Sequence, residues 1–270
     1  MQILLGLPLG VLVGYLAYRV GALSASGAWA AALTGGLIFG LGGLPWAALL
    51  LTFFVSSSAL SRAFASRKAA LGDQFSKGSQ RDHGQVLANG GLGALLVIAH
   101  AFFPTALWPW AAFMGAMAAV NADTWATELG VLSTVPPRMI TTGKPVERGT
   151  SGGVTLAGYL AALGGSALIG FAATLFSPEL PSLILVGAAT LAGLAGATFD
   201  SFLGATAQAI YFCPACGKET ERHPRHRCGT ETRQVRGWRW LNNDWVNFAC
   251  SLVGAGVAAA ALQAAQRLFF

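Results

Sequence analysis

Long apolar stretches separated by short polar connections dominate the pattern of this chain. Most of them are close to the roughly 20 apolar residues that a helix needs to cross the hydrocarbon core of a bilayer. Their length and spacing predict eight helical segments, at residues 2–19, 28–42, 45–61, 86–103, 109–133, 153–176, 182–211 and 245–266. The second stretch is short and suits a re-entrant or tilted piece. The pattern therefore predicts an all-α, polytopic membrane helix bundle of about seven to eight spans, with residues 1–270 as a single membrane domain.

Composition agrees with a membrane location. Of the 270 residues, 54% are hydrophobic and only 10% are charged, whereas soluble domains carry about 25% charged residues. The first apolar stretch has no basic start and no clear cleavage site, so we expect a retained helix rather than a signal peptide. In such a chain the formal net charge of +6 does not indicate a nucleic-acid partner, and we expect none.

The basic residues fall almost entirely on one side of the predicted bundle. With eight crossings, sixteen of the 17 Lys and Arg residues lie at one set of connections, and Arg267 alone lies at the other. The opposite connections are short and hold one charged residue, Glu179. Because cytoplasmic loops carry the excess of Lys and Arg, we expect the large basic loops in the cytoplasm and both termini outside. We expect an inner or plasma membrane protein.

An aspartate interrupts the fifth apolar stretch. Asp123 lies on a helical face of small residues that includes Ala119, Ala126 and Gly130. A carboxylate among apolar helices persists only with a cation, a hydrogen-bond donor or a water-filled cavity. Small neighbours let another helix, a metal or a ligand approach closely. Asp123 is therefore a candidate functional residue, and a polar contact between helices is the alternative.

Two other polar residues belong to the same stretch. Glu128 follows Asp123 by five residues, which places it about 140° around a helix at ~100° per residue. The two carboxylates can share a site only if the helix breaks or if Glu128 lies at the mouth of that site. Asn121 opens the polar run and is a candidate nucleotide or phosphate ligand.

A second aspartate repeats this arrangement in the seventh stretch. Asp200 recurs at four-residue spacing with Ala192, Gly196 and Gly204, so it also projects from a face of small residues. Both faces are expected in the cytoplasmic half of the bundle. Mg²⁺ prefers oxygen ligands, often one or two carboxylates together with substrate phosphates. We therefore predict that Asp123 and Asp200 share a Mg²⁺ ion.

A glycine-rich basic segment at residues 140–153 leads directly into the sixth stretch. Free backbone N–H groups and the positive end of a helix attract anions, and glycines let a phosphate reach the main chain. The GxxxxGK[ST] pattern of a Walker loop is absent, and a plain N-cap is the alternative. The candidate phosphate-binding residues of this segment are Lys144, Arg148, Thr150, Ser151, Gly152 and Gly153.

Polar residues also precede two other apolar stretches. Arg81, Gln85 and Asn89 follow one another at four-residue spacing, so they form a line of donors that suits an anion. A capped, solvated helix start is the alternative for this line. At the start of the last stretch, the candidate ligands of the nucleotide or its phosphates are Asn243, Asp244 and Asn247.

The hydrophilic segment at residues 211–240 contains cysteines and histidines at metal-ligand spacing. A CxxC pair is followed, after eleven residues, by a third cysteine. Thiolate and imidazole ligands at such spacing suit structural zinc, and a reducing cytoplasm disfavours a disulfide. Free thiols are the alternative. We predict a small cytoplasmic zinc-ribbon-like loop in which Zn²⁺ is structural, because four protein ligands leave no open position. The predicted ligands are Cys213, Cys216, His226 and Cys228, with His223 as a substitute.

Taken together, these motifs resemble an integral-membrane family that contains transmembrane protein 19 homologues and the plant chloroplast phytyl-phosphate kinase. The resemblance covers nearly the whole chain and is carried by residues 122–130, 141–158, 197–204, 213–216 and 242–247. More distantly, Asp123-x2-Ala126 followed by a Lys/Gly/Ser-rich loop is similar to dolichol kinase, phytol kinase and CDP-diacylglycerol synthase. Those enzymes join a lipid-borne oxygen nucleophile to a nucleotide, often CTP.

The resemblance implies a prenyl monophosphate kinase of the phytyl or geranylgeranyl type. Such an enzyme transfers a phosphoryl group from a nucleoside triphosphate, with CTP favoured, to a prenyl phosphate. Because the acceptor phosphate is already an oxyanion, the reaction needs positioning and charge neutralisation more than a strong base. In this scheme Asp123 and Asp200 hold Mg²⁺, Glu128 or Asp244 assists, and Lys144 contacts the phosphates.

Two alternatives use similar residues. A CTP-dependent lipid cytidylyltransferase would release pyrophosphate and form a CDP-lipid. A transporter or flippase of anionic lipids would also need buried carboxylates and basic mouths, but inverted repeats typical of that class are not evident in the sequence. A homodimer is compatible with the sequence.

Overall fold

The computed structural model describes residues 2–64, 80–177 and 180–269. The basic connection expected around residues 65–79, and Glu179, lie outside the described residues. Within them the chain forms the helices α1 (Gln2–Arg19), α2 (Ala25–Ala63), α3 (His83–Phe102), α4 (Trp108–Gly130), α5 (Leu156–Thr174), α6 (Ser182–Thr206) and α7 (Asn243–Phe269). The short strands are β1 (Arg138–Met139), β2 (Gly153–Val154), β3 (Ile210–Cys213), β4 (Lys218–Thr220) and β5 (Arg233–Arg236). This architecture confirms the predicted polytopic helical membrane protein.

Helix α2 is a hairpin of two arms rather than a straight rod. At Gly43 the backbone has φ 72° and ψ −160°, a conformation that glycine adopts readily and other residues avoid. A straight helix of 39 residues would extend about 58 Å at 1.5 Å per residue. Instead the two ends of α2 lie close together. Gly21 and Ala22, just before its start, line one small cleft together with Ser58 and Arg62 near its end. The two arms correspond to the second and third apolar stretches, so each of the eight stretches matches a helix or an arm.

Glycine contacts set the distance between the first helices. The first arm of α2 runs antiparallel to α1, and a Cβ added to Gly6 would lie only 2.4 Å from the carbonyl oxygen of Gly36. Further along, a Cβ on Gly14 would lie 2.6 Å from the carbonyl oxygen of Ala28. Since lipid gives apolar side chains no reason to associate, close backbone packing of this kind stabilises helix pairs in membranes.

Helix α4 forms the centre of the bundle. It packs against α2, α3, α5, α6 and α7, and every residue from Pro109 to Ala122 is buried. Of the described helices, α2, α3, α5, α6 and α7 are long and apolar enough to cross a membrane, and Leu4–Arg19 forms a shorter apolar helix. An enclosed helix such as α4 can carry polar residues near one end, because its neighbours are protein.

Contacts at the two ends of the bundle give the directions of the central helices. Near one end, Trp110 of α4 donates its indole N–H to Ser177, which follows α5, and near the other end Gly130 approaches Gly158. These contacts make α4 and α5 antiparallel. Helix α6 is in turn antiparallel to α5, because a Cβ on Gly193 would meet Ser166 near the middle and Gly170 meets the start of α6. Helices α4 and α6 therefore run in the same direction.

Two small sheets occur in the long connections. Between α4 and α5, β1 and β2 pair antiparallel. Between α6 and α7, β3 pairs with both β4 and β5, which gives a three-stranded antiparallel sheet. We call residues 210–240 the Cys/His module, because the cysteines and histidines of the predicted metal site lie in and around this sheet.

Candidate active site

One end of the bundle encloses a polar cavity of about 600 Å³. Helices α3, α5 and α7 begin at this end, whereas α4 and α6 end there. The connections that contain the two small sheets also contribute to its lining. Three helix starts direct their positive dipole ends toward the cavity, and such ends attract anions. The surroundings therefore favour a negatively charged ligand.

Asp123 and Asp200 lie level on neighbouring parallel helices. Helices α4 and α6 touch where a Cβ added to Gly196 would lie 2.5 Å from the Cβ of Ala119. Each aspartate follows its contact residue by four positions, about one helical turn. Both line the cavity, and the Asp123 carboxylate is near enough to act electrostatically on Asp200. The two faces of small residues thus bring both carboxylates to one cavity.

One oxygen of Asp200 has no hydrogen-bond partner in the described part of the chain. Its Oδ2 atom is buried and accepts no hydrogen bond from the described residues. The Asp123 and Glu221 carboxylates both act on it electrostatically. A buried carboxylate oxygen without a donor is costly unless a cation or another ligand supplies the missing interaction. Carboxylate oxygens of two aspartates are a donor set that fits Mg²⁺.

Glu128 lines the same cavity but contacts other residues. Its Oε1 atom accepts a hydrogen bond of 2.7 Å from the Ser61 hydroxyl, and α4 remains helical to Gly130. Burial lowers the pKa of Arg81 to about 10, and the Glu128 carboxylate opposes this shift. Arg81 therefore stays charged at neutral pH, and it donates to the Ser57 hydroxyl at 2.9 Å. Glu128 reaches the cavity from the end of an unbroken helix and supports Arg81.

The polar line at the start of α3 serves both the helix and the cavity. Arg81, Gln85 and Asn89 all line the cavity. Gln85 also forms a capping box with Asp82. The backbone N–H of Gln85 donates to the Asp82 carboxylate at 3.0 Å, and the side-chain Oε1 of Gln85 accepts from the backbone N–H of Asp82 at 3.2 Å. Capping of the helix and binding of an anion are therefore compatible roles for these residues, since the cap fixes Gln85 beside the cavity.

The glycine-rich segment packs against the last turn of α6 through Gly152. This residue has φ 86°, and a Cβ added to it would lie 2.6 Å from Ala205. Thr150, Ser151, Gly152 and Gly153 line the cavity. The amides of Thr150 and Gly153 donate to backbone carbonyls within the loop, whereas those of Ser151 and Gly152 form no such bond within the described residues. These two N–H groups are therefore the candidates for binding an anion in this loop.

Lys144 does not line the cavity. It is exposed in the turn between β1 and β2, where its carbonyl oxygen accepts a hydrogen bond of 2.9 Å from the Met139 amide. This hairpin turns the lysine away from the glycines that follow it in the sequence. Arg148, four residues later, does line the cavity. Lys144 is therefore removed from the candidate site.

Two other predicted residues also lie outside the lining. Asn121 is fully buried, and its amide donates to the Gly165 carbonyl at 2.7 Å and accepts from Ser56 at 3.0 Å. It joins α4 to α5 and α2, so its role is packing. Asp244 lies in the first turn of α7 without lining the cavity, whereas Asn243 and Asn247 on the same helix do.

The cavity contains polar residues that the sequence pattern did not indicate. Tyr159 follows Thr155 by one turn of α5, so the face of that helix could have indicated it. No periodicity in the Cys/His module indicated Glu221, Arg222 or Arg227. The polar lining residues not expected from the sequence include Ser61, Tyr159, Glu221, Arg222 and Arg227.

The Cys/His module brings together four side chains that can hold a metal ion. The ligand atoms of the cluster all lie within 4.8 Å of one another, and its members are Cys213, Cys216, His226 and Cys228. The hydrogen bond with Thr230, assisted by His226, lowers the pKa of Cys228 to about 6, so this thiol is a thiolate at neutral pH, the form that binds metals. His223 instead stacks on the Tyr211 ring at 4.4 Å between centroids and is not part of the cluster.

Comparisons with known proteins extend over most of the chain. The sequence model of the family described as "Integral membrane protein DUF92" matches residues 8–255. Protein PGR of Arabidopsis thaliana is 34% identical over 268 residues, which cover 90% of each chain. An uncharacterized membrane protein of a Synechocystis species is 30% identical over 81% of this chain and 77% of its own. One of Methanocaldococcus jannaschii is 36% identical over 60% and 65%. No solved structure matches the chain.

Proposed function

Since the chain belongs to the integral membrane protein family DUF92, we propose that it is a lipid phosphotransferase. The proposed reaction converts a prenyl phosphate and a nucleoside triphosphate, with CTP favoured, into a prenyl diphosphate and the nucleoside diphosphate. The observation that carries this proposal is the Oδ2 atom of Asp200, which is buried without a hydrogen-bond partner among the residues that the structure describes. It shares with Asp123 a cavity that arginines and a glycine-rich segment also line. A divalent cation with a polyphosphate fits that combination of charges.

The side chains of the cavity suggest how the two phosphate groups are held. When bound by Asp123 and Asp200, Mg²⁺ would neutralise charge on the donor phosphates. In this proposal the donor phosphates are bound by Arg148 and by the amides of Ser151 and Gly152, all of which belong to lining residues of the cavity. The acceptor phosphate would be bound by Arg81, Gln85 and Asn89, which also line the cavity. These groups would orient the donor and the acceptor toward each other.

The transfer itself requires little covalent help from the protein. An oxygen of the prenyl phosphate forms a bond to the γ-phosphorus, and the bond from that phosphorus to the β–γ bridging oxygen breaks. The electron pair of the broken bond leaves with the nucleoside diphosphate. The attacking oxygen is already ionised, so no side chain has to accept its proton, and catalysis depends on positioning and charge neutralisation.

The distribution of basic residues supports a proposed orientation of the protein in the membrane. The cavity lies at the end of the bundle that carries Arg81, Arg148, Arg222 and Arg227. Since excess Lys and Arg mark cytoplasmic loops, this end is proposed to face the cytoplasm, where nucleoside triphosphates are available. The isoprenoid tail would then lie between the Gly- and Ala-rich helices and extend toward lipid.

A labelling experiment tests the reaction. Purified protein in detergent is incubated with geranylgeranyl or phytyl phosphate, Mg²⁺ and each nucleoside triphosphate, labelled at the α- or the γ-phosphorus. The proposal predicts lipid that carries only the γ-label. Lipid that carries the α-label would instead indicate a cytidylyltransferase. Absence of label from every nucleotide would remove both reactions and leave transport of an anionic lipid as the surviving alternative.

Two basic residues of one loop provide a matched pair of variants. Arg148 lines the cavity, whereas Lys144 does not. Arg148→Ala should therefore raise the KM for the nucleotide at least about tenfold, the scale of one lost hydrogen bond to a charged group. Lys144→Ala should change KM less than about twofold, because an exposed charge outside the site is screened. Equal effects of the two substitutions would contradict the proposed phosphate site.

The metal in the Cys/His module is proposed to be structural zinc. The cluster offers three thiols and one imidazole within 4.8 Å of one another, a ligand set typical of structural zinc sites. Elemental analysis of the purified protein should find about one zinc per chain, and Cys216→Ser should lower that content. Cys250→Ser is the control, since Cys250 lies in α7 outside the cluster. Unmodified protein without zinc, or an unchanged zinc content in Cys216→Ser, would remove the assignment.

A further inference from the structure

Part of the Cys/His module forms a wall of the cavity. Glu221, Arg222 and Arg227 line the cavity, although they belong to a connection rather than to a helix. The Oε1 atom of Glu221 accepts a hydrogen bond of 3.1 Å from the Ser151 hydroxyl and one of 2.9 Å from the Gln208 amide. One carboxylate therefore ties the module both to the glycine-rich segment and to the residues that follow α6.

The module also changes the charge of the cavity. The helices and the glycine-rich segment contribute three carboxylates and two arginines to the lining, so their formal charge is −1. The net negative charge of these side chains opposes the attraction of a polyphosphate to the three helix starts unless cations compensate. The module contributes one carboxylate and two arginines, which brings the formal charge of the lining to zero before any metal binds. The arginines of the module are thus needed to balance the acidic residues.

Arg222 has a buried donor that a ligand could satisfy, and Arg227 is adjacent to the metal-binding cluster. The Nε atom of Arg222 is buried and donates no hydrogen bond to the residues of the described chain. Arg227 lies between His226 and Cys228, two members of the metal-binding cluster, so a bound metal would fix its backbone on both sides. Guanidinium groups bind phosphate oxygens through paired N–H donors.

We infer that Arg222 and Arg227 form a clamp for the phosphate groups of the substrate, and that the metal of the Cys/His cluster holds this clamp in position. This inference rests on the proposed function, since it requires phosphate groups in the cavity. It assigns the module to substrate binding. The module would otherwise only stabilise the connection between α6 and α7.

Binding of inorganic tripolyphosphate tests the clamp without relying on turnover. Isothermal titration of the full-length protein in detergent, with Mg²⁺ present, measures the affinity. Arg222→Ala and Arg227→Ala should each weaken it about tenfold or more, the scale of a hydrogen bond to a charged group. Arg225→Ala is the matched control. Arg225 belongs to the same segment but does not line the cavity, and it lies 3.9 Å from Glu231. Its loss should therefore change the affinity less than about twofold.

The metal part of the inference has a separate test. Cys216→Ser should lower the zinc content and weaken tripolyphosphate binding about as much as the Arg222→Ala/Arg227→Ala pair. Adding Cys216→Ser to that pair should weaken binding no further, because variants that disable one unit are not additive. Circular dichroism and gel filtration establish that the helical bundle remains intact. Full additivity would overturn the positioning role of the metal.

The outcomes separate this inference from the proposed function. If Arg148→Ala weakens tripolyphosphate binding but Arg222→Ala and Arg227→Ala do not, the clamp is overturned and the phosphotransferase proposal stands. If the unmodified protein binds no tripolyphosphate with Mg²⁺ present, both are overturned. Weakened binding in the two arginine variants, with the Arg225→Ala control unchanged, supports the clamp.

Discussion

Asp200→Asn should lower the rate of prenyl diphosphate formation by about 100- to 1,000-fold or more, the scale of removing one group that stabilises transition-state charge. The amide keeps the size of the side chain but cannot supply the negative charge that a divalent cation requires. Asp123→Asn should have an effect of the same size, because both carboxylates line one cavity. Initial rates with labelled nucleotide, measured at saturating Mg²⁺, provide the comparison.

The folded state of these variants is expected to survive. Neutralising one of two neighbouring buried acids removes a repulsion between them, so gel filtration and thermal stability should match those of the unmodified protein. Glu147→Gln is the control, because Glu147 is exposed in the neighbouring loop and does not line the cavity. Full activity in either aspartate variant would contradict the metal assignment.

Gly196→Ala should be the second most damaging change, although it adds a single methyl group. The new Cβ would lie 2.5 Å from the Cβ of Ala119 and 3.0 Å from the carbonyl oxygen of Cys250. Helices α4, α6 and α7 would have to move apart, and the carboxylates one turn further along would separate. Overpacking of this kind costs about 1–3 kcal/mol, and displacement of catalytic groups by about 1 Å can reduce rates 100-fold.

The same helix offers a matched control. Gly187 also belongs to α6, but a Cβ added there would meet no described atom within 4 Å apart from the neighbouring backbone of α6 itself. Gly187→Ala should therefore preserve activity, and the slightly higher helix propensity of alanine should leave stability unchanged or improved. Thermal-shift and rate measurements on both variants would distinguish an effect of helix spacing from a general sensitivity of α6 to replacement of glycine by alanine. Equal behaviour of the two variants would contradict the spacing argument.

The helical framework was predictable because a bilayer constrains it strongly. Every span must satisfy its backbone hydrogen bonds internally, so apolar length alone located the eight segments. Even the short connection at residues 42–44 was visible in the sequence, and the chain reverses there at Gly43. The direction and neighbours of each arm were less accessible, since they depend on which glycines of one helix contact which backbone of another.

The position of the two aspartates in one cavity was also predictable, because helical periodicity indicates which residues share a face. The same periodicity argues against Asn121: it precedes Asp123 by two residues, about 200° around a helix at ~100° per residue. In the structure it bonds to α5 and α2 on another side of α4. Proximity in sequence to Asp123 was therefore a poor guide, and helical geometry a good one.

The site residues that the sequence analysis misplaced or missed lie mainly in loops, because loops have no regular periodicity that relates sequence to position. Lys144 precedes the glycines closely in sequence, but the hairpin of β1 and β2 exposes it. Conversely, Arg222 and Arg227 belong to a hydrophilic module far from the aspartates in sequence, and the contacts of Glu221 bring the module to the cavity. Such approaches depend on tertiary packing between connections, which no local sequence pattern reports.

The central claim is that Asp123 and Asp200 together hold one divalent cation beside a polyphosphate. Electron paramagnetic resonance of Mn²⁺, added to the zinc-loaded protein as a substitute for Mg²⁺, measures this binding directly. We predict about one tightly bound Mn²⁺ per chain in the presence of tripolyphosphate, and its loss in both Asp123→Asn and Asp200→Asn. Mn²⁺ binding that is unchanged in either variant would contradict the claim.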